Sequence, residues 1–472
     1  MDNGPDSPHA AAGWRGCLGG LHAAAPYVLL AGLYLTFMAA TLDWHGYWSD
    51  EFHTIRAVKL PVAELVRQRA AVGHPPLFFL LEKAWVGFVG ETSEVAYRSL
   101  PALWGLGTLL LVYRIVEREA GASAAWLACG LLMTSATQLL VCHMARSYTQ
   151  LQFLVAAHGA LVLSPKPATA GRVALSAALS AAAFYAHGAA LVAVVTHLAA
   201  TALVLPTRWR YLLSGAAGSF LYLPFVFAYP SLGNVEGHVG WIPPTTVAAQ
   251  LQFPALLQFG RQLSDTPVVV QAAAGLLTTG LAIFALRLSD GAALLALQWC
   301  LTWAAAAAAA AYGIGIIAVE RYFAPAVMCQ AVFLAMTVAW LVKSQRLLGR
   351  LTAAGVVLLG IVSSGLYFAS PPFTPWREMA ALVRREKVEG EAVVVAEPPV
   401  FATPFAYYYE GPLGFEDVGA LDVPAEVPGV WVCYRFADRV DPERWQDHPA
   451  LARWPRRQVH AFRRGAVVHC QR

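Results

Sequence analysis

Long apolar stretches, separated by short polar ones, run through most of this 472-residue chain. Most of them approach the roughly 20 apolar residues that a helix needs to cross a lipid bilayer. The pattern therefore predicts a mainly α-helical, polytopic membrane domain over 26–369, with about eleven transmembrane helices. The predicted spans are 26–42, 97–116, 122–142, 148–163, 173–187, 189–205, 211–229, 268–287, 291–312, 322–342 and 351–369.

The first polar segment, residues 43–74, directly follows the first predicted span. Between Asp50 and Gln68, apolar residues recur at roughly helical spacing and polar residues fill the gaps. This pattern is typical of amphipathic helices that lie on a membrane face. Because proline interrupts a helix, we expect Pro61 to separate two of them.

Three other segments depart from the pattern of spans. Residues 1–25 are rich in Gly, Ala and Pro, which predicts a disordered amino-terminal tail. Residues 75–90 are apolar but contain Glu82 and Lys83, a costly pair in mid-bilayer, so we expect an interfacial or re-entrant helix there. Residues 230–266 contain several prolines and glycines and predict an irregular loop between spans.

The composition changes after residue 369. Residues 370–375 form a proline-rich linker, and 376–387 have a helical pattern. Short apolar runs at 392–396 and 430–435 are typical of strands, with turn residues between them. The pattern predicts a small soluble α/β domain over residues 370–472, which we call the tail domain.

The composition supports an integral membrane protein. The chain is 58% hydrophobic and 13% charged, whereas soluble domains carry about 25% charged residues. It has no Lys/Arg cluster of the kind that binds nucleic acid, so we predict no nucleic-acid partner. Cys433 and Cys470 lie in the predicted tail domain. They could form a disulfide in an oxidising compartment or remain two thiols.

The distribution of basic residues predicts the orientation. With the amino terminus in the cytoplasm, most Lys and Arg between spans fall on the cytoplasmic side, as the positive-inside rule requires. The polar segment 43–74 and the tail domain then lie on the extracytoplasmic side. Segment 43–74 carries Arg56, Lys59, Arg67 and Arg69 against this tendency, which favours an anionic ligand there.

Asp50 and Glu51 are the leading candidates for catalysis. A carboxylate beside an apolar surface can act as a general base, accepting a proton from a hydroxyl as that hydroxyl attacks an electrophilic carbon. The structural alternative is a helix cap, with Asp50 at the N-cap and a helix that begins at Glu51. The two roles are compatible.

Three residues near this pair could contact a ligand. Arg56 could bind phosphate oxygens in a bidentate manner, or it could be a surface charge at the level of the lipid headgroups. His53 and His74 could ligate a metal with one of the two acids. Their spacing matches no metal-binding signature, so we predict no cofactor and assign no metal ligands, although the sequence leaves dependence on a divalent metal open. We assign His74 to substrate binding.

Two later connections on the outer side repeat the combination of arginine with aromatic or acidic residues. Arg146 and Tyr148 lie in the first of them, and Glu320, Arg321 and Tyr322 lie in the second. Each set alone could anchor a helix at the membrane interface. Because they recur on the side of the acidic pair, we predict that all five contribute to substrate binding.

Several of these segments resemble the GT-C integral-membrane glycosyltransferases, in particular the protein mannosyltransferase and aminoarabinose-transferase-like branch, family 39. The order of a first span, an acidic pair and amphipathic helices matches that branch. Its Glu-Ala-Arg-x-Tyr segment is similar to one outer connection here, and its Arg-Tyr and Trp-Arg motifs also have counterparts. The matching residues are Asp50-Glu51, His74-Pro75-Pro76-Leu77, Arg98-Ser99-Leu100-Pro101, Ala145-Arg146-Ser147-Tyr148, Glu320-Arg321-Tyr322 and Trp376-Arg377-Glu378.

The resemblance implies a polyprenyl-phosphate sugar donor, and transfer at the outer membrane face with inversion at the anomeric carbon. It implies that Asp50 is the catalytic base, that Glu51 assists in positioning, and that Arg146 and Arg321 hold the donor phosphate. One position departs from the branch, because Met144 stands where an acid often precedes Ala-Arg.

Two other classes of function remain open at this stage. A transporter or flippase for a lipid-linked or small solute would also use polar residues within the membrane, but it often contains internal inverted repeats, which this sequence lacks. A non-catalytic scaffold would not need an acidic pair between amphipathic helices. The predicted partners are the lipid-linked donor, membrane lipids and an acceptor glycan, lipid or protein, and neither the sugar nor the acceptor is specified.

Overall fold

The structure is a computed structural model of the chain. It describes residues 8–90, 92–230, 242, 247–260, 267–313, 319–369, 373–396, 399–417, 420–421, 426–435 and 451–472.

Helices dominate the described part up to residue 369. Most of them pack as a bundle around a core of Leu, Ala, Val and aromatic side chains, with Trp299 and Tyr113 fully buried. The helix bounds are Pro8–Ala39, Glu51–Val58, Val62–Ala71, Leu77–Val89, Glu94–Ala120, Ala122–Met133, Ala136–Cys142, Tyr148–Val162, Ala170–Ala186, Ala190–Val204, Trp209–Phe220, Leu223–Ala228, Val247–Phe259, Val268–Ala285, Asp290–Ala311, Ala324–Ser344 and Arg346–Ala369, with 3₁₀ turns at Pro206–Arg208 and Glu320–Phe323.

The number of spans differs from the predicted eleven. Among the described residues, five helices are long and apolar enough to cross a membrane, or six if Ala122–Met133 and Ala136–Cys142, which meet at 67°, form one bent span. Other apolar segments form shorter helices, such as Ala170–Ala186 and Ala190–Val204. An apolar run in the sequence gives hydrophobicity but not the length of unbroken helix, so the predicted eleven spans are not shown by these helix lengths.

Burial distinguishes central from peripheral helices. The segment Glu320–Ser344 has 72% of its apolar window buried within the protein. The segments Pro206–Ala228 and Arg346–Ala369 have only 17% buried, and their exposed faces carry large apolar side chains such as Phe220, Leu358 and Ile361. Such surfaces suit contact with lipid chains, so the protein is an integral membrane protein.

The segment between the first two long helices folds as predicted. Glu51–Val58 and Val62–Ala71 are separate short helices, and Pro61 precedes the second. Leu77–Val89 is also helical, and its interfacial placement stays a prediction.

Two predicted irregular segments contain helix. The first helix begins at Pro8, inside the predicted disordered tail 1–25, because alanine-rich sequence extends a helix at little cost; residues 1–7 lie outside the described part. The helix Val247–Phe259 forms within the predicted loop 230–266 even though Pro254 lies inside it. Buried Phe253 and Leu257 pack against the core there and stabilise it.

In the described residues of the tail domain, two helices pack with a mixed sheet, as the sequence predicts. The helices are Trp376–Glu386 and Pro399–Tyr409. Cys433 and Cys470 belong to separate cores of this domain and are free thiols. Numbered in chain order, the strands described are β1 Ala392–Val395, β2 Gly414–Asp417, β3 Ala420–Leu421, β4 Gly429–Arg435, β5 Arg456–Phe462 and β6 Gly465–Gln471, in the sheet order β3-β2-β1-β4-β6-β5.

Candidate active site

Glu51 anchors the segment 43–74 to the membrane bundle. Its carboxylate accepts hydrogen bonds from Nε and a terminal nitrogen of Arg98, both at 2.9 Å. It also accepts the backbone N–H groups of Ala145 at 3.0 Å and Trp48 at 3.2 Å. Both partners of the ion pair are 0% exposed. A bidentate ion pair with an arginine, together with hydrogen bonds from backbone N–H groups, compensates the charge of a buried carboxylate.

Arg98 connects the same carboxylate to the chain that precedes it. The guanidinium donates to the carbonyl oxygens of Leu42 and His45, each at 2.8 Å, and of Gly46 at 3.1 Å. It therefore fixes the path of residues 42–46 as well as Glu51. This role suits the Arg98-Ser99-Leu100-Pro101 motif, because an arginine within a span needs such partners.

Asp50 precedes the helix Glu51–Val58 at the N-cap position, but its side chain makes no capping hydrogen bond. Instead, Oδ2 of Asp50 lies 3.4 Å from a terminal nitrogen of Arg321, and the side chain is 29% exposed. The predicted N-cap position of Asp50 is thus correct, but its side chain does not cap the helix. It contacts an arginine that is distant in the sequence. The accessible carboxylate is the one that could take part in chemistry.

Arg321 is held by three groups. Its Nε donates to the hydroxyl of Tyr148 at 3.1 Å, and its guanidinium lies 4.9 Å from the ring centroid of Trp48. With the carboxylate of Asp50 as the third, the guanidinium is confined although its side chain is still 11% exposed. The ring of Tyr322 is also close to this guanidinium, with its centroid 5.7 Å away.

Two further arginines, Arg146 and Arg69, lie beside this site. Arg146 is 5% exposed and Arg69 is 6% exposed, and both guanidinium groups contact the ring of Phe79, at 6.0 and 5.6 Å. Within the described part of the chain, Nε of each has no hydrogen-bond partner. A terminal nitrogen of Arg146 is 3.4 Å from the backbone oxygen of Asp50. Two nearly buried cations with unused donors form a surface suited to an anion.

The remaining predicted residues take different positions. His74 lies between His53 and Phe79, with ring centroids at 6.3 and 6.1 Å. Arg56 donates to Thr403 of the tail domain at 2.8 Å, so it contacts that domain. Glu320 is buried at the start of its 3₁₀ turn. Among the described residues, no group of three acidic, His or Cys side chains could hold a metal ion.

The surroundings of His53 keep it neutral at physiological pH. Burial lowers the pKa of His53 from its usual 6.5 to about 4, and the positive charges of Arg146, Arg69 and Arg56 act in the same direction. The carboxylate of Asp50 opposes them but does not prevail. His53 is therefore a neutral imidazole beside a cationic surface.

Acidification is expected to destabilise the protein through His53. The unfolded chain takes up this proton near pH 6.5 and the folded protein only near pH 4. The stabilisation is therefore complete above pH 6.5 and is lost as the pH falls towards 4. In the His53→Gln variant, unfolding measured in detergent at pH 7 and pH 4 should reveal an acid-induced loss smaller by about 1–2 kcal/mol. An equal acid-induced loss of stability in the wild type and in His53→Gln would contradict a lowered pKa for His53.

Several residues that shape this site escaped the sequence analysis. Trp48 belongs to segment 43–74 but carries no signal that separates it from an interfacial aromatic residue. Arg69 is one of four basic residues that favour an anionic ligand in this segment, but the sequence does not single it out from Arg56, Lys59 and Arg67. His187 packs between Tyr148 and Tyr322, with ring centroids at 4.9 and 5.6 Å. Arg98, by contrast, is visible in the sequence. A single arginine followed by a long apolar stretch indicates that its charge has a buried partner.

Solved structures share this architecture. The structure of ArnT from Cupriavidus metallidurans bound to undecaprenyl phosphate aligns with a TM-score of 0.53 at 14% identity, over 95% of this chain and 98% of that one. The cryo-EM structure of the arabinofuranosyltransferase AftD from Mycobacteria aligns with a TM-score of 0.51 at 14% identity, over 95% of this chain and 40% of that one. Known protein families and curated proteins give no match in sequence. The chain is thus similar in fold to these two solved structures over most of its own length. This similarity supports the predicted mainly helical membrane fold, whereas the predicted eleven spans are not shown.

Proposed function

We propose that this protein is a membrane glycosyltransferase. It moves a sugar from a polyprenyl-phosphate donor to an acceptor hydroxyl or amine, with inversion and with Asp50 as the general base. The observation that carries the proposal is the meeting of Asp50 with Arg321 at 3.4 Å, with Arg146 beside them. A transferase that releases a lipid phosphate needs these elements, namely an accessible base and adjacent cations.

The chemistry follows from the placement of these groups. The acceptor loses its proton to the carboxylate of Asp50 as its oxygen or nitrogen forms a bond to the anomeric carbon. The bond from that carbon to the phosphate oxygen breaks, and polyprenyl phosphate leaves with the electron pair. Negative charge develops on the phosphate, where Arg146 and Arg321 stabilise it. No cofactor is required for this displacement.

Glu51 has a supporting role in this scheme. Its carboxylate is 0% exposed and already accepts two hydrogen bonds from Arg98 and two from backbone N–H groups. It therefore has no access to an acceptor and acts by fixing the segment that carries Asp50. In this scheme Asp50 takes part in the reaction, and Glu51 holds the segment that carries Asp50 in place.

The proposal includes an orientation. The candidate site and the tail domain lie on the extracytoplasmic side of a cell inner or plasma membrane, as the distribution of basic residues favours. A polyprenyl-phosphate donor would enter from the lipid, since its chain is apolar. We retain about eleven crossings as part of the proposal, because shorter apolar helices such as Ala170–Ala186 and Ala190–Val204 can cross where the bilayer thins.

Sugar transfer from labelled polyprenyl-phosphate donors tests the function. Membranes that contain the protein are incubated with a panel of such donors, and labelled acceptor products are separated from the donor. Transfer above that of membranes without the protein is the expected result. Movement of the intact donor across vesicles with no transfer from any donor would instead favour the transporter or flippase.

Replacing Arg146 by Gln is expected to weaken the binding of polyprenyl phosphate about 10–100-fold, because a charge-assisted hydrogen bond contributes about 1.5–3 kcal/mol. Lysine at the same position should recover part of the affinity, since it keeps the charge but not the planar fork. Titration of the purified protein with polyprenyl phosphate measures the effect. The control is Arg67→Gln, which removes an arginine that is 71% exposed on the nearby helix. Equal affinities for all four proteins would remove Arg146 from the donor site.

A further inference from the structure

The tail domain reaches the candidate active site through Phe373. Its ring stacks on that of Trp48, with centroids 4.3 Å apart and an angle of 20° between the planes. The guanidinium of Arg321 lies 4.9 Å from the centroid of the same indole. We call the two rings of Phe373 and Trp48 the aromatic stack. Through Arg321, this stack is connected to Asp50.

We propose that Phe373 is a positioning residue, which holds Arg321 against Asp50 by fixing the plane of Trp48. The proposal rests on the glycosyltransferase function given above, and it assigns the tail domain a part in that reaction. Phe373 itself does not touch the reacting groups. Its effect passes through the indole to the guanidinium.

The indole depends on packing for its orientation. Nε1 of Trp48 is buried and has no hydrogen-bond partner within the described residues. No hydrogen bond of the ring thus fixes its plane, and the parallel ring of Phe373 is the flat surface against which it rests. A cation–π contact requires the cation to lie over the ring face. If the indole turns, Arg321 loses this contact and with it part of its alignment towards Asp50.

The tail domain is itself firmly attached beside this stack. The hydroxyl of Tyr408 accepts the backbone N–H of Tyr47 at 2.6 Å and donates to Glu94. Arg377 donates to the carbonyl oxygen of Asp43 at 3.0 Å and forms an ion pair with Glu94 at 3.3 Å.

The backbone of the membrane domain also approaches the tail domain closely at Gly46. A Cβ atom added there would lie 2.9 Å from Cβ of Arg377, which a real side chain would not tolerate. These contacts fix the tail domain relative to residues 43–47. Phe373, which comes just before the first helix of that domain, is therefore presented at a defined place.

The test compares Phe373→Leu with Phe373→Tyr. Leucine keeps most of the bulk but removes the flat ring, whereas tyrosine keeps the ring. Phe462→Leu is the matched control, because Phe462 is a partly buried aromatic residue of the tail domain that packs on its core and not on the stack. The full-length protein is used throughout, with unfolding temperatures to establish that each variant is folded.

The first readout does not depend on activity. Arginine labelled with ¹⁵N gives a guanidinium Nε–H signal for Arg321, assigned by its loss in Arg321→Lys, and the indole shifts this signal through its ring current. We expect the signal to move towards that of an arginine remote from any ring in Phe373→Leu, and to stay in place in Phe373→Tyr and Phe462→Leu. An unmoved signal in Phe373→Leu would overturn the proposal, whatever the transfer rate.

The second readout asks whether the effects of Phe373→Leu and Arg321→Lys on the rate of sugar transfer depend on each other. Phe373→Leu is expected to lower kcat/KM about 10-fold in the wild-type background, the size that loss of one such contact supports. In the Arg321→Lys background it should have less than about a 2-fold further effect, because the residue it positions is already altered. Equal effects in both backgrounds would indicate a purely structural role and overturn the proposal. Absence of transfer by the wild type would refute the glycosyltransferase function, while the Arg321 signal still decides whether Phe373 positions that arginine.

Discussion

Replacement of Asp50 by Asn is expected to lower the rate of sugar transfer by about 10²–10⁴-fold, the range that a general base supplies. The amide has nearly the same shape and can still accept a hydrogen bond from Arg321, so the fold and donor binding should persist. Asn cannot accept the acceptor's proton at neutral pH. Transfer rates at saturating donor, together with the dissociation constant for polyprenyl phosphate, separate the two effects: kcat should fall while binding changes little.

The matched control for this variant is Asp43→Asn. Asp43 is an exposed acid in the same segment, and its contact with Arg377 uses the backbone carbonyl, which the substitution leaves unchanged. Transfer by Asp43→Asn should stay within about 2-fold of the wild type, as surface changes of this kind are usually small. Transfer by Asp50→Asn at a comparable level would exclude Asp50 as the base. Glu51 would be a poor substitute candidate, because it is fully buried and paired.

The sequence was sufficient for the class of fold and for the segment that carries the acids. Hydrophobicity identifies a membrane domain because a bilayer leaves few alternatives to apolar helices. The separation of the helices at Pro61 and the start of a helix at Glu51 also follow from local rules. The number of crossings does not, since helix length depends on breaks such as the 67° bend after Met133.

The division of roles between Asp50 and Glu51 required the structure. Adjacent residues at a helix start point in directions about 100° apart, so one can face the protein while the other faces a cavity or solvent. Which is which depends on the partner each meets. Arg98 and Arg321 are separated from these acids by 47 and 271 positions in the chain, and no local pattern connects them.

Replacement of Glu51 by Gln is expected to cost about 3–5 kcal/mol of folding free energy, because it leaves the guanidinium of Arg98 buried without its counter-charge. The amide also cannot accept hydrogen bonds at both terminal positions, so the backbone N–H of Ala145 or Trp48 loses its partner. Equilibrium unfolding in detergent or lipid nanodiscs measures the loss. Sugar transfer should fall with stability, since Asp50 belongs to the segment that Glu51 anchors.

The control for this change is Glu64→Gln, the same substitution in an exposed ion pair on the neighbouring amphipathic helix. The side chain of Glu64 is 37% exposed and that of its partner Arg67 is 71% exposed, so solvent screens the pair and its loss should cost less than about 1 kcal/mol. The contrast between the two variants isolates burial, because the chemical change is identical. Similar small losses in both would mean that the three backbone carbonyls around Arg98 suffice to hold its charge. The anchoring of residues 43–51 would then reside in Arg98 itself, and Arg98→Gln would be the variant that releases the segment.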